Sequence, residues 1–350
     1  MDEIVITNAV GICADGLSED NSIVRGKSFY FGKIDKEFPE IDDEKYNLRC
    51  NRILKYLADK MDLSGYEKDD IAVVIGTTNS GIEEFETSDN KHHAELGNPA
   101  EFLQKYLGLN NYAASVSTAC TSGIKAFAAA RRLLENDVCK AVIAGGIDTL
   151  ASMPIYGFDA LEVLSHEKTN PFSRNRSGIS IGEAGALFLL EKNKDGIKIM
   201  GIGETSDAYH SATPDPQGVQ AAEAIQIALE DAGLMPKDID YINLHGTGTI
   251  SNDLMEANAV YKVFGSGVPA SSTKPVTGHC LGAASIETFI CYEILKGLRG
   301  IPEHIYDGEY DESLPKINLA GKNFASNDVK VCMSNAFGFG GTNAVLVLGK

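Results

Sequence analysis

The sequence predicts an α/β fold in which helices cover a largely buried sheet, and three observations carry that prediction. Short β-branched, strand-length runs alternate with Ala-rich stretches at helical spacing along the whole chain. The clearest of those runs are apolar throughout, as strands buried on both faces are. The two halves also look alike in plan. Ser117-Thr118 is followed by Cys120 and a small-residue helix, and Ser272-Thr273 by His279 and a helix expected from Gly282. This likeness points to an internal duplication with its boundary near 191–196, a polar Glu-Lys-Asn-Lys-Asp-Gly stretch, giving halves 1–191 and 192–350.

Taken in order, the elements follow from spacing and punctuation. Arg49, Arg52 and Lys55 recur every third residue and share one face if 48–59 is helical. Residues 71–76 (Ile-Ala-Val-Val-Ile-Gly) read as a buried strand, as do 141–146. Between them Ile124, Phe127, Ala128 and Leu134 give 121–135 a helical period. Residues 219–232 form a second helix, stopped by Gly233 and Pro236. The strand 241–244 runs directly into the loop that carries His245. Residues 329–333 and 344–348 flank a Gly-rich turn and predict a closing hairpin.

Composition excludes several classes of function. A net charge of −18 over 350 residues opposes general nucleic-acid binding, which needs clustered Lys and Arg. No apolar run approaches the roughly 20 residues of a membrane span, and the chain starts Met1-Asp2-Glu3 without a basic leader. The seven cysteines are scattered, odd in number and never spaced as Cys-x-x-Cys. That pattern argues against a disulfide framework or zinc site and for a reducing cytoplasm.

The chemistry concentrates at one thiol and two imidazoles. Cys120 precedes Thr-Ser-Gly123 at a helix start, where backbone N–H groups and the positive helix end favour a thiolate. His245 leaves a strand and enters Gly246-Thr247-Gly248-Thr249, whose small residues admit a close ligand. His279 follows Thr277-Gly278 at a second expected helix start, with Lys274 five residues before it and Glu287 as that lysine's prospective partner. A thiol can carry an acyl group, and imidazoles can polarise a carbonyl or stabilise developing charge. Neither histidine has the i, i+4 partner of a helical zinc site, so no metal is expected. The adjacent His92-His93 reads as solvent-exposed and inert. The turn 337–343 (Phe-Gly-Phe-Gly-Gly-Thr-Asn) is not a phosphate loop, because no Gly-Lys-Ser/Thr follows it.

These motifs together resemble the β-ketoacyl-acyl carrier protein synthases of the Cys-His-His type. The match runs through 118–123, 144–146, 182–186, 207–210, 245–249, 272–274, 277–279 and 335–343. The resemblance implies a duplicated thiolase-like fold in five layers, αβαβα. It implies a decarboxylative condensation in which Cys120 takes an acyl chain and malonyl-acyl carrier protein extends it to a 3-oxoacyl thioester. It assigns His245 and His279 to the enolate, Lys274 and Glu287 to support, and the backbone N–H groups of Cys120 and Phe339 to an oxyanion hole. Thr247 and Thr249 match threonines that bond the phosphopantetheine arm, Phe339 matches a gating aromatic, and Phe337 lines the substrate site. No cofactor is implied beyond that carrier-borne arm. The partners implied are an acyl carrier protein and a second chain, either identical or a ketosynthase-like companion. Arg49, Arg52 and Lys55 are the candidate docking patch.

A thiolase is less consistent with this sequence, because thiolases place a second catalytic cysteine in a late Cys-Gly-Gly-Gly turn, and that turn here is Phe337-Gly338-Phe339-Gly340-Gly341. A silent chain-length-factor-like subunit is the alternative, and the presence of Cys120 counts against it.

Overall fold

The computed structural model describes residues 2–350 apart from 25, 89, 323 and 325–327. In the N-terminal half, β1 (Ile4–Cys13) is followed by a small hairpin, β2 (Ser18–Asp20) and β3 (Phe29–Phe31). Next come α1 (Arg49–Ala58), β4 (Ile71–Gly76), α2 (Ile82–Ser88), α3 (Asn98–Leu107), β5 (Ala113–Val116) and α4 (Ser122–Glu135). The half closes with β6 (Ala141–Asp148), α5 (Ser152–Ala160) and β7 (Ala184–Lys192). The C-terminal half runs β8 (Ile197–Ser206), α6 (Val219–Ala232), β9 (Tyr241–Asn243), α7 (Ile250–Phe264), β10 (Pro269–Ser271), α8 (Lys274–Thr277) and α9 (Ser285–Leu295). It ends with β11 (Asn318–Leu319), β12 (Val331–Gly338) and β13 (Thr342–Gly349).

The strand order exposes the duplication. One side reads β1-β7-β6-β4-β5 and the other β8-β13-β12-β9-β10, with β11 added at the far edge. Pairing sense repeats too. The first three strands of each series are antiparallel and the last three parallel. A short β1–β8 ladder at Val5 and Ile6 joins the two sheets.

The layers follow from where apolar faces go. Helices α4 and α9 lie between the two sheets, and Phe127, Phe188, Ile286 and Leu346 share that central core. Helices α1 and α3 cover the outer face of the first sheet through Ile53, Leu54, Leu57 and Leu103. Helices α6 and α7 cover the second through Ala224, Ile225, Ala228 and Val260. The result is αβαβα. Helix α6 has the bounds its periodicity predicts and ends at Gly233 in the left-handed region.

Two sequence expectations change here. No α-helix begins at Gly282, because residues Leu281–Ala283 form a 3₁₀ turn and α9 opens at Ser285. His93 is buried, not exposed. Its ring bonds to Ser88 Oγ, Asn90 Nδ2 and the Glu44 carbonyl, while His92 remains outside.

Candidate active site

Cys120 stands where β5 turns into α4. The turn is tight because Ala119, the residue before it, adopts φ +54°, a strain of about 1–3 kcal/mol for a residue bearing a Cβ. Ser122 holds the turn: its Oγ accepts from the Thr118 N–H (2.8 Å) and donates to the Ala119 carbonyl (2.6 Å). The second half repeats the device after β10. There Gly278 adopts φ +73° before His279, whose N–H donates to the Ser180 carbonyl at 2.7 Å.

The two turns meet because Gly123 has no side chain. A Cβ there would lie 2.5 Å from the Ser285 nitrogen. Asp148 also ties the halves together, accepting from Thr77 Oγ1 and Asn79 N–H on one side (2.7 and 2.8 Å) and from Gly282 N–H on the other (2.7 Å).

His245 is fixed from behind by α7. Its own N–H and that of Gly246 donate to the buried Glu256 carboxylate at 2.8 and 2.6 Å. Asp253 holds the rest of the loop, taking the Gly248 N–H at 3.2 Å and the Phe172 N–H at 2.8 Å. Thr249 caps α7 by accepting the Asn252 N–H at 3.2 Å, and its hydroxyl lies 3.2 Å from that of Thr247.

The reactive groups converge. Cys120 Sγ lies 3.1 Å from His279 Nε2. The two imidazoles stand 5.1 Å apart, centroid to centroid, at 88°. Phe337 packs edge-on against His245 at 6.1 Å. Lys274 and Glu287 form a fully buried ion pair behind them. Phe339 is half-buried, its ring 5.3 Å from that of Phe158 on α5. Val163, Ile179, Met255 and the Gly338–Gly341 turn complete a cavity of about 40 Å³, room for two or three waters.

Burial sets the protonation states. It pushes the Cys120 thiol up to about 12, opposed by the Lys274 charge and by the backbone N–H groups of Phe339 and Cys120. The sequence reading expected the helix terminus to favour a thiolate; desolvation outweighs it. Burial, then the Lys274 charge, hold both imidazoles well below the usual histidine range. At neutral pH the site is therefore a thiol facing neutral imidazoles. Its proton can pass to His279 Nε2 as the sulfur attacks, and the two N–H groups aimed at the sulfur are placed for a developing oxyanion.

Cys120, His245 and His279 are also the group of His, Cys and carboxylate residues whose donor atoms cluster, all within 4.8 Å among the described residues. The positive potential that Lys274 imposes on both imidazoles opposes a dication there. The set fits acyl and proton transfer better than a metal centre.

The proposed docking patch comes together only in part, with Arg52 and Lys55 one turn apart on α1 and both partly exposed. Arg49 turns inward, its guanidinium pairing with the buried Glu183 carboxylate at 2.6 Å and the Ile34 carbonyl at 3.1 Å. Arg52 is held by Asn47 (2.9 Å), and Lys55 reaches Asp59 at 3.4 Å. Sequence reasoning missed Glu256, Asp253 and Asp148. Two acids three apart on the face of α7 that should be apolar were the legible signal for the first two.

Residues 32–196 match the model of the β-ketoacyl synthase N-terminal domain, and 197–294 that of the β-ketoacyl synthase C-terminal domain. The chain belongs to the β-ketoacyl synthase family. Among curated relatives, 3-oxoacyl-[acyl-carrier-protein] synthase 2 of Coxiella burnetii is 36% identical over 67% of this chain and 61% of that protein. The Mycobacterium leprae synthase 2 is 33% identical over 80% of this chain and 74% of its own. The chain spans 61% and 63% of the length of the first two curated relatives it matches. Among solved structures, a chain of the ketosynthase (ApeO)–chain length factor (ApeC) complex from Xenorhabdus doucetiae is 36% identical. It superposes with a TM-score of 0.94 over 99% of this chain and 98% of that one. A β-ketoacyl synthase from Burkholderia phymatum shares the fold, at 23% identity and a TM-score of 0.89 over 100% of both chains. The duplicated, five-layered thiolase-like architecture of this synthase-family chain is thus established. No helix among the described residues is long and apolar enough to cross a membrane.

Proposed function

We propose that this chain catalyses the decarboxylative Claisen condensation of an acyl group with malonyl-acyl carrier protein. The observation that carries the reading is Cys120 Sγ at 3.1 Å from a neutral His279, with His245 beside it and two backbone N–H groups on the sulfur. Cys120 attacks the donor thioester while its proton passes toward His279. The tetrahedral oxyanion sits on the Cys120 and Phe339 N–H groups, and its collapse expels the carrier sulfur, which takes the proton back from His279 and departs as the thiol, leaving acyl-Cys120. Malonyl thioester then enters and loses CO₂, and the enolate oxygen takes hydrogen bonds from His245 and from His279, whose neutral ring now carries its proton on Nε2. The enolate carbon attacks acyl-Cys120 and expels the sulfur as a thiolate, which takes a proton from solvent to restore the thiol, giving a 3-oxoacyl thioester two carbons longer.

Burial, aided by the Lys274 charge, keeps both imidazoles neutral, and Glu287 holds Lys274 in place. Thr247 and Thr249 at the cavity mouth hold the phosphopantetheine arm, and Phe337 backs His245. Phe339 must move with its Gly-rich turn, since a space of about 40 Å³ admits no acyl chain. The reading needs no cofactor beyond the carrier-borne arm. It divides the labour between halves 1–191, with the nucleophile, and 192–350, with both histidines. The family's acyl carrier protein is the natural partner, in the cytoplasm.

The likeness to a chain of a ketosynthase–chain length factor complex favours a dimer, either with itself or with a second ketosynthase-like chain. Retention of Cys120 in a complete site argues that this chain is the active member rather than a silent one. The test is CO₂ release from labelled malonyl-acyl carrier protein, with the 3-oxoacyl product read by mass spectrometry. Release coupled to product supports the proposal, and a chain that forms neither, alone or with any companion, is the silent subunit instead.

A further inference from the structure

His304 enters no step above, yet it is 3% exposed and both of its ring nitrogens are engaged. Nδ1 faces the Ser272 N–H at 3.1 Å, and a backbone N–H can only donate, so Nδ1 is the acceptor. Nε2 faces the Pro171 carbonyl at 3.0 Å, and a carbonyl can only accept, so Nε2 carries the proton. The partners alone fix one neutral tautomer. Burial agrees, pushing this imidazole down to about 4 with the Pro171 bond opposing. The backbone is anchored separately, His304 N–H to the Ala320 carbonyl at 2.8 Å, and the ring stands edge-on to Phe172 at 5.8 Å.

What the two bonds join gives the residue its meaning. Ser272 Oγ donates to the Gly246 carbonyl at 2.7 Å and accepts the Lys274 N–H at 3.3 Å, so the Ser272 turn holds both the His245 loop and the start of α8. Pro171 precedes Phe172, whose N–H is on Asp253, and Asp253 holds Gly248. Thr169 Oγ1, in the same segment, donates to the Thr247 carbonyl at 2.8 Å. The 169–172 segment and the Ser272 turn therefore both grip residues 246–248, and His304 is a direct bridge between the two grips.

We propose that His304 is a positioning residue that clamps the His245 loop for the decarboxylation step, acting as a neutral imidazole with one acceptor and one donor. The inference rests on the condensing reading above. It separates the steps, because Cys120 and its oxyanion donors sit on other turns and are untouched by the clamp.

Two variants test it in the full chain. His304→Phe keeps an aromatic ring and removes both bonds, while His304→Gln returns an acceptor and a donor on one terminal group. With His304→Phe, malonyl decarboxylation should fall on the order of 10–100-fold in kcat, while acylation of Cys120 and the KM for malonyl thioester stay within about threefold. His304→Gln should recover most of the lost rate, which a merely space-filling role would not produce. The proposal is overturned if His304→Phe decarboxylates like wild type, if Gln is no better than Phe, or if acylation falls in parallel. Should His304→Phe not fold, imidazole nitrogen NMR of the wild-type protein decides. The Nε2–H neutral tautomer at pH 7 supports the clamp, and an Nδ1–H tautomer or an imidazolium overturns it. Wild-type protein run alongside distinguishes the two claims. If it neither acylates nor decarboxylates, the condensing reading fails and takes this one with it. If it does both and His304→Phe does too, only the clamp is lost.

Discussion

Gly123→Ala is the smallest change that should disable the site while touching none of its reactive groups. The added Cβ would stand 2.5 Å from the Ser285 nitrogen and 3.1 Å from both the Ala284 nitrogen and the Gly282 carbonyl, where ordinary contact begins at 3.4 Å. All three are backbone atoms, so no side chain can rotate away, and the starts of α4 and α9 must separate by about 0.9 Å. Cys120 is three residues upstream on one element, His279 six upstream on the other. If the whole displacement reaches them, the 3.1 Å contact between Sγ and Nε2 opens to about 4 Å and the proton path is broken. Misplacement of that size costs on the order of 100-fold in rate, and overpacking costs about 1–3 kcal/mol of stability. Acylation of Cys120 followed by intact mass against time reads the first, and urea unfolding the second. Gly97→Ala is the control, since nothing among the described residues lies within 4 Å of its Cβ and its φ is −72°. Near-wild-type acylation and an unshifted urea midpoint in Gly123→Ala would refute the claim that this contact sets the site's geometry.

Further outcomes follow from the same geometry. His245→Ala and His279→Ala should retain some acylation of Cys120 yet lose CO₂ release, because the enolate then lacks its donors; the reverse pattern would exchange the roles. Glu256 is held up to about 7 by burial, so decarboxylation should decline as pH falls through 7 and the carboxylate loses its charge behind His245. Glu256→Gln, which keeps one acceptor but sets a donor against the other of the two N–H groups, should be slow and lack that limb. The stability effect has the opposite sign. A folded value near 7 against an ordinary 4.5 means stability present below pH 4.5 and lost as pH rises through 7, on the order of 3 kcal/mol. The difference in urea midpoint between wild type and Glu256→Gln, taken at pH 5 and pH 8, measures it. Reversing Arg52 and Lys55 to Glu should raise KM for carrier-bound substrate and leave kcat for a pantetheine mimic unchanged. Arg49→Glu should instead destabilise, placing a second carboxylate against Glu183.

Periodicity made most of the scaffold legible. Helix α6, strand β4 and the body of α4 follow directly from apolar spacing and from Gly and Pro stops, and the paired Ser-Thr turns revealed that the halves repeat. The Cys120, His245 and His279 turns were legible because small residues crowd each of them, and a tight strand-to-helix turn needs small residues. Three features were not legible because they depend on long-range packing. Arg49 looks like a surface cation until Glu183, far away in sequence, is seen beneath it. The thiol's protonation depends on how completely Cys120 is covered, and a helix terminus alone suggests the wrong sign. His304 and Asp148 work through backbone groups of distant loops, for which no spacing rule exists.

The central claim is that Cys120 is the nucleophile and carries the growing chain. Incubating the protein with a panel of acyl-acyl carrier protein thioesters, followed by intact-mass and peptide analysis, tests it directly. One acyl adduct should form, confined to Cys120, absent from a folded Cys120→Ala variant, and discharged as a 3-oxoacyl thioester when malonyl-acyl carrier protein is added. An adduct on any of the other six cysteines, or condensation by Cys120→Ala, would contradict it.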